Sequence, residues 1–594
     1  MLQAMKNRIL WLAFVLFILV AGGYAYLYPG SEALLAGRTD SVMGDGTDSA
    51  SLPYGYSIFK NIFETHPSRL FYGSVYSEAG DPEKGQSLWI PWNERWLSVF
   101  LGYIVPVEQM STAFILFIMI LNGLAMYLLC EYLKWNRWVS VALSFAWAFN
   151  VYTRARAKVH GALAGTYHIP LIFLALLIVV HGRSKRSLVA AMALLLFAGT
   201  VAHYYLVTSI FLAPLFIAFV YIQPEARAHL KLVTTRFVLA SLPLIFFMGS
   251  SYYFMLPSEA PITKAESIAE EVMPDGSAHP FLEVFHAYPI DYLAGDLGMV
   301  GSAESNPARQ LVNEEILGDM RGSNSHERSN GIRWTVLALA TLAFVFLLRG
   351  KFKDDVNTHR NLFFFLIFGL FTFWLSLAPD IPSMGFSPSY WLYKFFPKIR
   401  VSTRAGIMVH FSLLMAVGYL FTRSFRWRQW LLLPGALLVL FIVDYLPLNT
   451  VPMAPIFPAF SELHRDKGRC ETGLVFPFIN PYATGVNYYF YAQRMRGSDC
   501  KIINATARRP EIQLLLNTFP PDINFLRNLT PQVADKVTKL VECMPLNWLV
   551  FLEPTPRPFA ESICQRLGWK LSSDLTCTGP SRDKPMQRLP SQCL

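Results

Sequence analysis

Long runs of apolar residues dominate the sequence and limit the folds that the chain can adopt. A helix that crosses the hydrocarbon core of a bilayer needs about 20 apolar residues. Only 15% of the residues are charged, whereas a soluble globular chain carries about 25%. We therefore predict an α-helical polytopic membrane protein with about 11 transmembrane helices. The candidate spans are residues 9–28, 110–132, 137–153, 168–182, 187–202, 204–222, 235–256, 332–348, 361–378, 405–421 and 430–447.

Basic residues between the runs predict how the chain is oriented. Loops rich in Lys and Arg stay on the cytoplasmic side of a membrane. The first run follows Lys6 and Arg8 and lacks a small-residue cleavage site, which predicts a retained helix with a cytoplasmic N-terminus. Every second loop is then both basic and cytoplasmic, so the net charge of +10 reflects topology and not a nucleic-acid partner. These loops carry Lys134, Arg137, Arg183, Lys185, Arg186, Arg227, Lys231, Arg349, Lys351, Lys353, Arg423, Arg426 and Arg428.

The same orientation places three long segments and the C-terminal tail outside the membrane. The external segments of the transmembrane domain, residues 1–447, are 29–109, 257–331 and 379–404. A segment as long as 257–331 is usually functional or disordered. We therefore expect the external face to carry the functional site.

The tail, residues 448–594, is predicted to be a separate extracytoplasmic α/β domain. It combines short apolar strands at 473–478 and 548–552 with polar helical stretches at 510–517 and 531–543. Six of the seven cysteines lie in this tail, and an even set in an external domain indicates disulfides in an oxidising compartment. Six cysteines can pair in fifteen ways, and the sequence does not choose among them. The alternative to disulfides is a set of six reduced thiols. The six are Cys470, Cys500, Cys543, Cys564, Cys577 and Cys593.

Two basic clusters break the positive-inside pattern because they lie at predicted external helix ends. The first is Arg154, Arg156 and Lys158, and the second is Lys398, Arg400 and Arg404. Arg side chains match the oxygen geometry of phosphate groups. The clusters therefore indicate a site for phosphates or anionic lipid headgroups, with membrane lipids as partners. Interfacial anchoring of helix ends is the alternative for either cluster alone.

The stretch MGDGTDS, residues 43–49, places two carboxylates in a glycine-rich external segment soon after the first span. Asp45 or Asp48 held near apolar surface could act as a general base on a sugar hydroxyl. Together they could instead hold a divalent cation through oxygen. Ordinary turn chemistry is the third interpretation, since Asp and Gly are common in turns.

Aromatic and histidine residues follow the first basic cluster. His160, Tyr167 and His168 are candidates for substrate contacts, because sugar sites combine aromatic faces with hydroxyl and ring-nitrogen partners. Tyr is also common at membrane interfaces, where it would serve packing alone. The histidine spacing does not match a metal site.

Taken in order along the chain, several motifs resemble the GT-C superfamily of membrane glycosyltransferases. They are MGDGTDS after the first helix, then SLWIPWNERWLS, KVHGALAGTYHIPL and KIRVSTRAGIMVHFSLLMAVGYL. In the tail, GLVFPF and NYYFYAQRMRGSDCKIINATARRP are similar to the external domain of uncharacterised bacterial relatives. The resemblance covers most of the chain, and its motifs are short.

The resemblance implies transfer of a sugar from a polyprenyl-phosphate carrier to a cell-envelope glycan or glycolipid. It places the protein in the bacterial inner membrane, with the reaction at the periplasmic face. An aspartate of the first external loop would act as base, and Asp48 is favoured over Asp45 on this chain. The leaving phosphate needs cations more than a proton donor. Arg154, Arg156, Lys158, Arg400 and Arg404 would supply them.

No second acidic cluster completes a metal site in the sequence, so metal independence is favoured. The alternative is a divalent cation, Mg²⁺ or Mn²⁺, on Asp45 and Asp48. The long segment 257–331 is expected to cover the donor site. A transporter or flippase of lipid-linked sugars remains the second functional class, although such proteins favour ionisable residues within the spans. An inactive relative that keeps only the scaffold is a third class.

Overall fold

The computed structural model of the 594-residue chain describes the greater part of the helical bundle and much of the tail. The described residues are 2–38, 41–43, 60, 63–64, 92–159, 163–199, 224–255, 287, 292, 330–352, 355–377, 388–389, 391, 402–423, 432–445, 453–455, 472–476, 501–502, 529–543, 548–551, 555–571 and 575–579.

Helices occupy ten of the eleven predicted spans, and the eleventh, residues 204–222, lies outside the described residues. Among the described helices, five are long and apolar enough to cross a membrane unaided. This confirms a polytopic helical membrane protein. The helices of the N-terminal 447 residues are α1 (Leu2–Tyr26), α2 (Gly30–Leu35), α3 (Trp92–Leu101), α4 (Met110–Tyr132), α5 (Arg137–Ala148), α6 (Val151–Val159), α7 (His168–His181), α8 (Lys185–Gly199), α9 (Pro224–Ala228), α10 (Leu230–Met255), α11 (Trp334–Leu348), α12 (Val356–Ser376), α13 (Gly406–Arg423) and α14 (Leu432–Tyr445).

Helices α5 and α13 pack antiparallel in the centre of the bundle. Near the start of α5, the ring of Trp135 lies 5.1 Å from that of Tyr419, close to the end of α13. Near the end of α5, the ring of Trp147 lies 5.5 Å from that of Phe411, close to the start of α13. The end of α5 and the start of α13 therefore lie at one end of the bundle, which we call the site end.

The predicted span 137–153 is two helices and not one. Helix α5 ends at Ala148, and α6 begins at Val151. Asn150 separates them: its side-chain oxygen accepts a hydrogen bond from the backbone N–H of Thr153 at 2.8 Å. An Asn side chain that caps a following helix competes with continuation of the preceding one. The apolar run hid this break because its hydropathy continues across Asn150.

Helix α7 coincides with the predicted span 168–182 but is only 14 residues long, or about 21 Å. Its approach is held by Asn122, which lies twelve residues into α4. The amide of Asn122 donates to the carbonyl of Ala164 at 2.9 Å and accepts from the N–H of Thr166 at 2.8 Å. Because Asn122 is about 18 Å along α4, the chain before α7 is held inside the bundle.

A buried arginine joins three elements at the opposite end of the bundle. Arg236 of α10 donates hydrogen bonds to the carbonyls of Val179 and Ser184, both at 3.2 Å. It also donates to the hydroxyl of Ser187 at 2.9 Å. Last-turn carbonyls of a helix lack partners within that helix, so this guanidinium satisfies groups at the end of α7 and the turn that follows.

A short antiparallel ribbon links the segment after α1, which is predicted to be external, to the start of the tail. Strand β1 (Ser41–Met43) pairs with β2 (Met453–Pro455), with Val42 opposite Ala454. The side chain of Met43 is fully buried, and its sulfur lies close to Gly30. A segment that follows the first helix therefore pairs with a segment that follows the last helix of the bundle.

The tail contains a five-stranded mixed sheet in the order β4-β3-β5-β7-β6, covered by two helices. Strands β4 and β5 pair with β3 in parallel, while β7 is antiparallel to both β5 and β6. The predicted strands at 473–478 and 548–552 and the helix at 531–543 are confirmed, and 510–517 lies outside the described residues. The elements are β3 (Thr472–Phe476), β4 (Lys501–Ile502), α15 (Pro531–Cys543), β5 (Trp548–Phe551), α16 (Arg557–Leu567), β6 (Lys570–Leu571) and β7 (Thr576–Thr578).

The tail has a hydrophobic core of its own between the sheet and its helices. Phe476 of β3 and Phe559 of α16 stack with ring centroids 5.7 Å apart. A disulfide joins Cys564 of α16 to Cys577 of β7, and Cys543 is also disulfide-bonded. This confirms the prediction of disulfides in the tail. Cys130 of α4 is a buried free thiol.

Candidate functional site

Helix α6 carries the first basic cluster at the site end of the bundle. Arg154 is only 4% exposed, and its guanidinium lies 5.3 Å from the centre of the Tyr26 ring. The hydroxyl of Tyr26 donates to the carbonyl of Asn150 at 3.2 Å. The last turn of α1 therefore holds both the start of α6 and its first cation.

Arg156 is more deeply buried, with 1% of its surface exposed. Its guanidinium lies 4.8 Å from the ring of Tyr152, one turn earlier on the same helix, and attraction to the ring face offsets part of the cost of burial. Interfacial anchors instead extend their charged ends into water. The burial of Arg154 and Arg156 thus argues against anchoring as their main role. Lys158 lies on the same helix, and its side chain is outside the described residues.

Arg404 of the second basic cluster lies on the single 3-10 turn Ser402–Ala405, directly before α13. Arg404 is partly buried there. The neighbouring Thr403 is held by Asn330, whose Nδ2 donates to the carbonyl oxygen at 2.9 Å and to Oγ1 at 2.7 Å. Arg400 lies outside the described residues.

Packing of α5 against α13 brings the two clusters to the same end of the bundle. The ring of Trp147, seven residues before Arg154, lies 6.2 Å from that of His410, six residues after Arg404. Nε2 of His410 lies 3.3 Å from the hydroxyl of Tyr445. The end of α5 and the start of α13 therefore contact each other, and they lie within seven residues of Arg154 and Arg404, which are about 250 residues apart in sequence.

Two further cations belong to this region, and neither is among the residues predicted from the sequence. Arg333 precedes α11, and its guanidinium lies 5.6 Å from the ring of Tyr445. A cation at the external end of a predicted span was the available signal. Arg95 of α3 is buried, and burial lowers its pKa to about 10, so it is still charged at neutral pH. The available signal was its place within SLWIPWNERWLS.

The predicted substrate contacts are buried in the bundle. Tyr167 and His168 are each 1% exposed and follow directly on the segment held by Asn122. Nδ1 of His168 lies 3.2 Å from the carbonyl of Gly165. The Tyr167 ring packs at 5.6 Å on that of Phe197. His160, the third candidate, lies outside the described residues.

Asp45 and Asp48 lie outside the described residues. The strand that precedes them, β1, is fixed by its pairing with β2 and by a hydrogen bond just before it. Strand β1 ends at Met43, two residues before Asp45. Just before β1, the carbonyl of Arg38 accepts a hydrogen bond from Nε2 of Gln109 at 2.8 Å. Gln109 directly precedes α4, so the start of α4 anchors the approach to the acidic stretch.

Among the described residues, no group of three or more His, Cys, Asp or Glu side chains could hold a metal ion. Asp45 and Asp48, the predicted ligands, lie outside these residues. A divalent cation on Asp45 and Asp48 therefore remains a prediction.

No protein-family model matches the sequence, and no curated protein matches it. Solved structures do. The arabinofuranosyltransferase AftD from Mycobacteria superposes with a TM-score of 0.51 at 11% identity, over 92% of this chain and 35% of AftD. The chain has the GT-C fold. The expected fold is thereby confirmed, and the chain spans about a third of the length of AftD.

A second similar structure is the archaeal oligosaccharyltransferase AglB from Archaeoglobus fulgidus, in complex with an inhibitory peptide and a dolichol-phosphate. Its TM-score is 0.44 at 12% identity, over 92% of this chain and 69% of AglB. Within the GT-C fold of the present chain, the buried cations and the anchored strand β1, which precedes the acidic stretch, identify the site end as the candidate active site.

Proposed function

We propose that this GT-C protein is a glycosyltransferase that moves a sugar from a polyprenyl-phosphate carrier to a cell-envelope glycan or glycolipid. The observation that carries the proposal is the convergence of Arg154, Arg156 and Arg404 at one end of the bundle. The helix end that precedes Arg154 and the helix start that follows Arg404 meet through the rings of Trp147 and His410, 6.2 Å apart. Buried cations in a membrane protein are costly and are typical of functional sites.

The proposed chemistry is a direct displacement at the anomeric carbon. The acceptor hydroxyl oxygen forms the new bond, the bond from the anomeric carbon to the phosphate oxygen breaks, and its electron pair leaves with the phosphate. Fixed guanidinium groups stabilise the developing charge, and they do so more strongly in a water-poor site than in water. Arg154, Arg156, Lys158, Arg400 and Arg404 are the proposed ligands of that phosphate.

The proton of the acceptor hydroxyl would pass to Asp48, with Asp45 as the alternative base. Both follow the anchored strand β1 within five residues of Met43. No metal is needed for this scheme. If Mg²⁺ or Mn²⁺ takes part, Asp45 and Asp48 are its proposed ligands, and removal of divalent ions with EDTA would then abolish transfer.

We place the protein in the bacterial inner membrane, with a cytoplasmic N-terminus and the tail in the periplasm. The segment 257–331 is proposed to cover the donor. Two of its described residues contact the end of α12: Ala287 bridges to Leu377, and the hydroxyl of Tyr292 lies 2.5 Å from that of Ser376. A cover would thus be attached beside the site end.

Mass spectrometry of envelope glycans and glycolipids from a strain that lacks the protein tests this function. The expected result is loss of one sugar from one acceptor. The purified protein in detergent micelles should then transfer that sugar from its polyprenyl-phosphate donor. A flippase has no compartments to act between in micelles, so an unchanged glycan profile without transfer in micelles would favour the transporter.

The contribution of the buried cations can be tested with Arg154→Gln. Loss of one charged donor to the leaving phosphate should lower kcat by about 100-fold. Arg137→Gln is a matched control, because Arg137 also lies over a ring of α1, 5.8 Å from Trp11, but at the opposite end of the bundle. Equal activity of the two variants would contradict the assignment of Arg154.

A further inference from the structure

Asn330 is a buried amide at the corner of the site that carries Arg404. It is 4% exposed and lies where the segment 257–331 meets α11. Its Nδ2 atom donates to both the carbonyl oxygen and Oγ1 of Thr403. Since Thr403 directly precedes Arg404, Asn330 holds the turn on which this cation lies.

The orientation of the amide follows from its partners. A backbone carbonyl only accepts hydrogen bonds, so the atom of Asn330 that faces the Thr403 carbonyl has to be the nitrogen. The oxygen, Oδ1, is then on the other side of the amide group. Among the residues that the structure describes, Oδ1 of Asn330 is buried and has no hydrogen-bond partner. Buried polar atoms are normally satisfied, and an exception calls for an explanation.

The amide of Asn330 lies directly against the backbone of Gly406, where only glycine leaves enough space. A Cβ atom built on Gly406 would lie 2.4 Å from Cγ of Asn330 and 2.5 Å from Oδ1. Such a distance is far inside van der Waals contact, so any larger residue at 406 would displace the amide. The first residue of α13 therefore leaves room for Asn330 to lie against the turn.

We infer that Oδ1 of Asn330 accepts a hydrogen bond from a hydroxyl group of the sugar on the lipid-linked donor. The inference rests on the proposed function and deepens it. The carrier phosphate would bind at Arg404, and the hydroxyls next to the anomeric carbon would lie within one sugar ring of that phosphate. A hydroxyl is a donor, as the free Oδ1 requires. Asn330 would thus bind the sugar of the donor, while Arg404 binds its phosphate.

The test compares binding of two kinds of lipid to the purified full-length protein. One probe is polyprenyl phosphate, which carries no sugar. The others are polyprenyl-phosphate mannose, glucose and arabinofuranose, of which the tightest binder is kept. Wild-type protein should bind that sugar-linked lipid. Asn330→Ala also removes the two hydrogen bonds that hold the Arg404 turn, which affects both lipids alike. It should therefore weaken binding of the sugar-linked lipid about fivefold to tenfold more than binding of polyprenyl phosphate, as expected for loss of one neutral hydrogen bond to the sugar.

Gly406→Ala provides a second variant, because it displaces the same amide without altering it. It should show the same selective loss. Asn361→Ala is the matched control: Nδ2 of Asn361 donates to the hydroxyl of Tyr419 at 2.7 Å at the opposite end of the bundle. This variant should bind both lipids as the wild type does.

A purely structural role for Asn330 would alter binding of both lipids alike, or of neither, and either result would overturn the inference while wild-type binding remained. Failure of the wild-type protein to bind any sugar-linked lipid would overturn the proposed function, and the inference with it. Melting temperatures of all variants identify any that fail to fold. If Asn330→Ala does so, Gly406→Ala alone decides.

Discussion

At the scale of single residues, the bundle relies on side-chain amides that imitate the backbone. Asn122 satisfies one carbonyl and one N–H of the chain before α7, Asn150 caps α6, and Asn330 holds the turn before α13. Backbone groups buried away from water need such partners. In a lipid environment the cost of leaving them unpaired is several kcal/mol per group. These three amides therefore decide where the irregular parts of the site lie.

The two hydrogen bonds of Asn122 to Ala164 and Thr166, which we call the Asn122 clasp, lead to a prediction on stability. Asn122→Ala leaves the carbonyl of Ala164 and the N–H of Thr166 buried without these bonds, and should cost about 3 kcal/mol. Asn136→Ala removes only an exposed cap, since Oδ1 of Asn136 accepts from the N–H of Trp138, and should cost about 1 kcal/mol. Unfolding in mixed detergent micelles measures both. Equal losses would show that the clasp adds nothing.

A second prediction at this scale concerns the proposed base. Asp48→Asn keeps the size of the side chain but cannot take a proton, so transfer should fall by at least about 100-fold with the melting temperature unchanged. Asp45→Asn is the paired variant. Full transfer by both single variants and by the double variant would exclude both aspartates as the base.

At the scale of elements, the helices were predictable and their interruptions were not. Apolar length is a local property, so the spans from 110–132 to 430–447 coincide with helices wherever the structure describes them. The break at Asn150 and the short α7 depend on contacts to Tyr26 and Asn122, which lie far away in sequence. The positive-inside rule placed both basic clusters on one side. The packing of α5 on α13, which brings the two clusters to one end of the bundle, could not be predicted from the sequence. The roles of Arg333 and Asn330 could not be predicted either, because they depend on the same packing.

The disulfide between α16 and β7 gives a prediction for an element. The bond joins Cys564 and Cys577, thirteen residues apart in sequence, and closure of a loop of this length stabilises a folded domain by about 3 kcal/mol. Cys564→Ser with Cys577→Ser should make the tail of the full-length protein more sensitive to proteolysis in urea. Cys130→Ser, at a buried free thiol in α4, should leave tail cleavage unchanged. A tail equally resistant in both variants would contradict this.

At the scale of the whole molecule, the site is assembled at one end of a bundle whose two ends differ. Arg154, Arg333 and Arg404 lie at the site end, while Arg236 at the other end satisfies helix carbonyls. The GT-C fold was predictable from the order of short motifs, because that order reflects the order of spans and loops. Contacts of the acidic stretch with substrate were not, because they depend on the ligand.

The predicted orientation of the whole molecule can be tested by labelling. Leu35→Cys lies on an exposed position of α2 at the site end and should react with a membrane-impermeant maleimide in intact cells with a permeabilised outer membrane. Ser184→Cys, at the opposite end, should react only after lysis. Both are made with Cys130→Ser to remove the free thiol. The reverse pattern would invert the proposed topology.

The ribbon between β1 and β2 has a consequence for the biosynthesis of the protein. Strand β1 emerges early, but its partner is made 410 residues later, counted from Met43 to Met453. At about 5–20 residues per second, the ribosome needs about 20–80 s to cover that distance. During this time the approach to Asp45 and Asp48 lacks one of its two strands. A nascent chain thus completes the ribbon that precedes the acidic stretch only after helix α14, Leu432–Tyr445, has been synthesised.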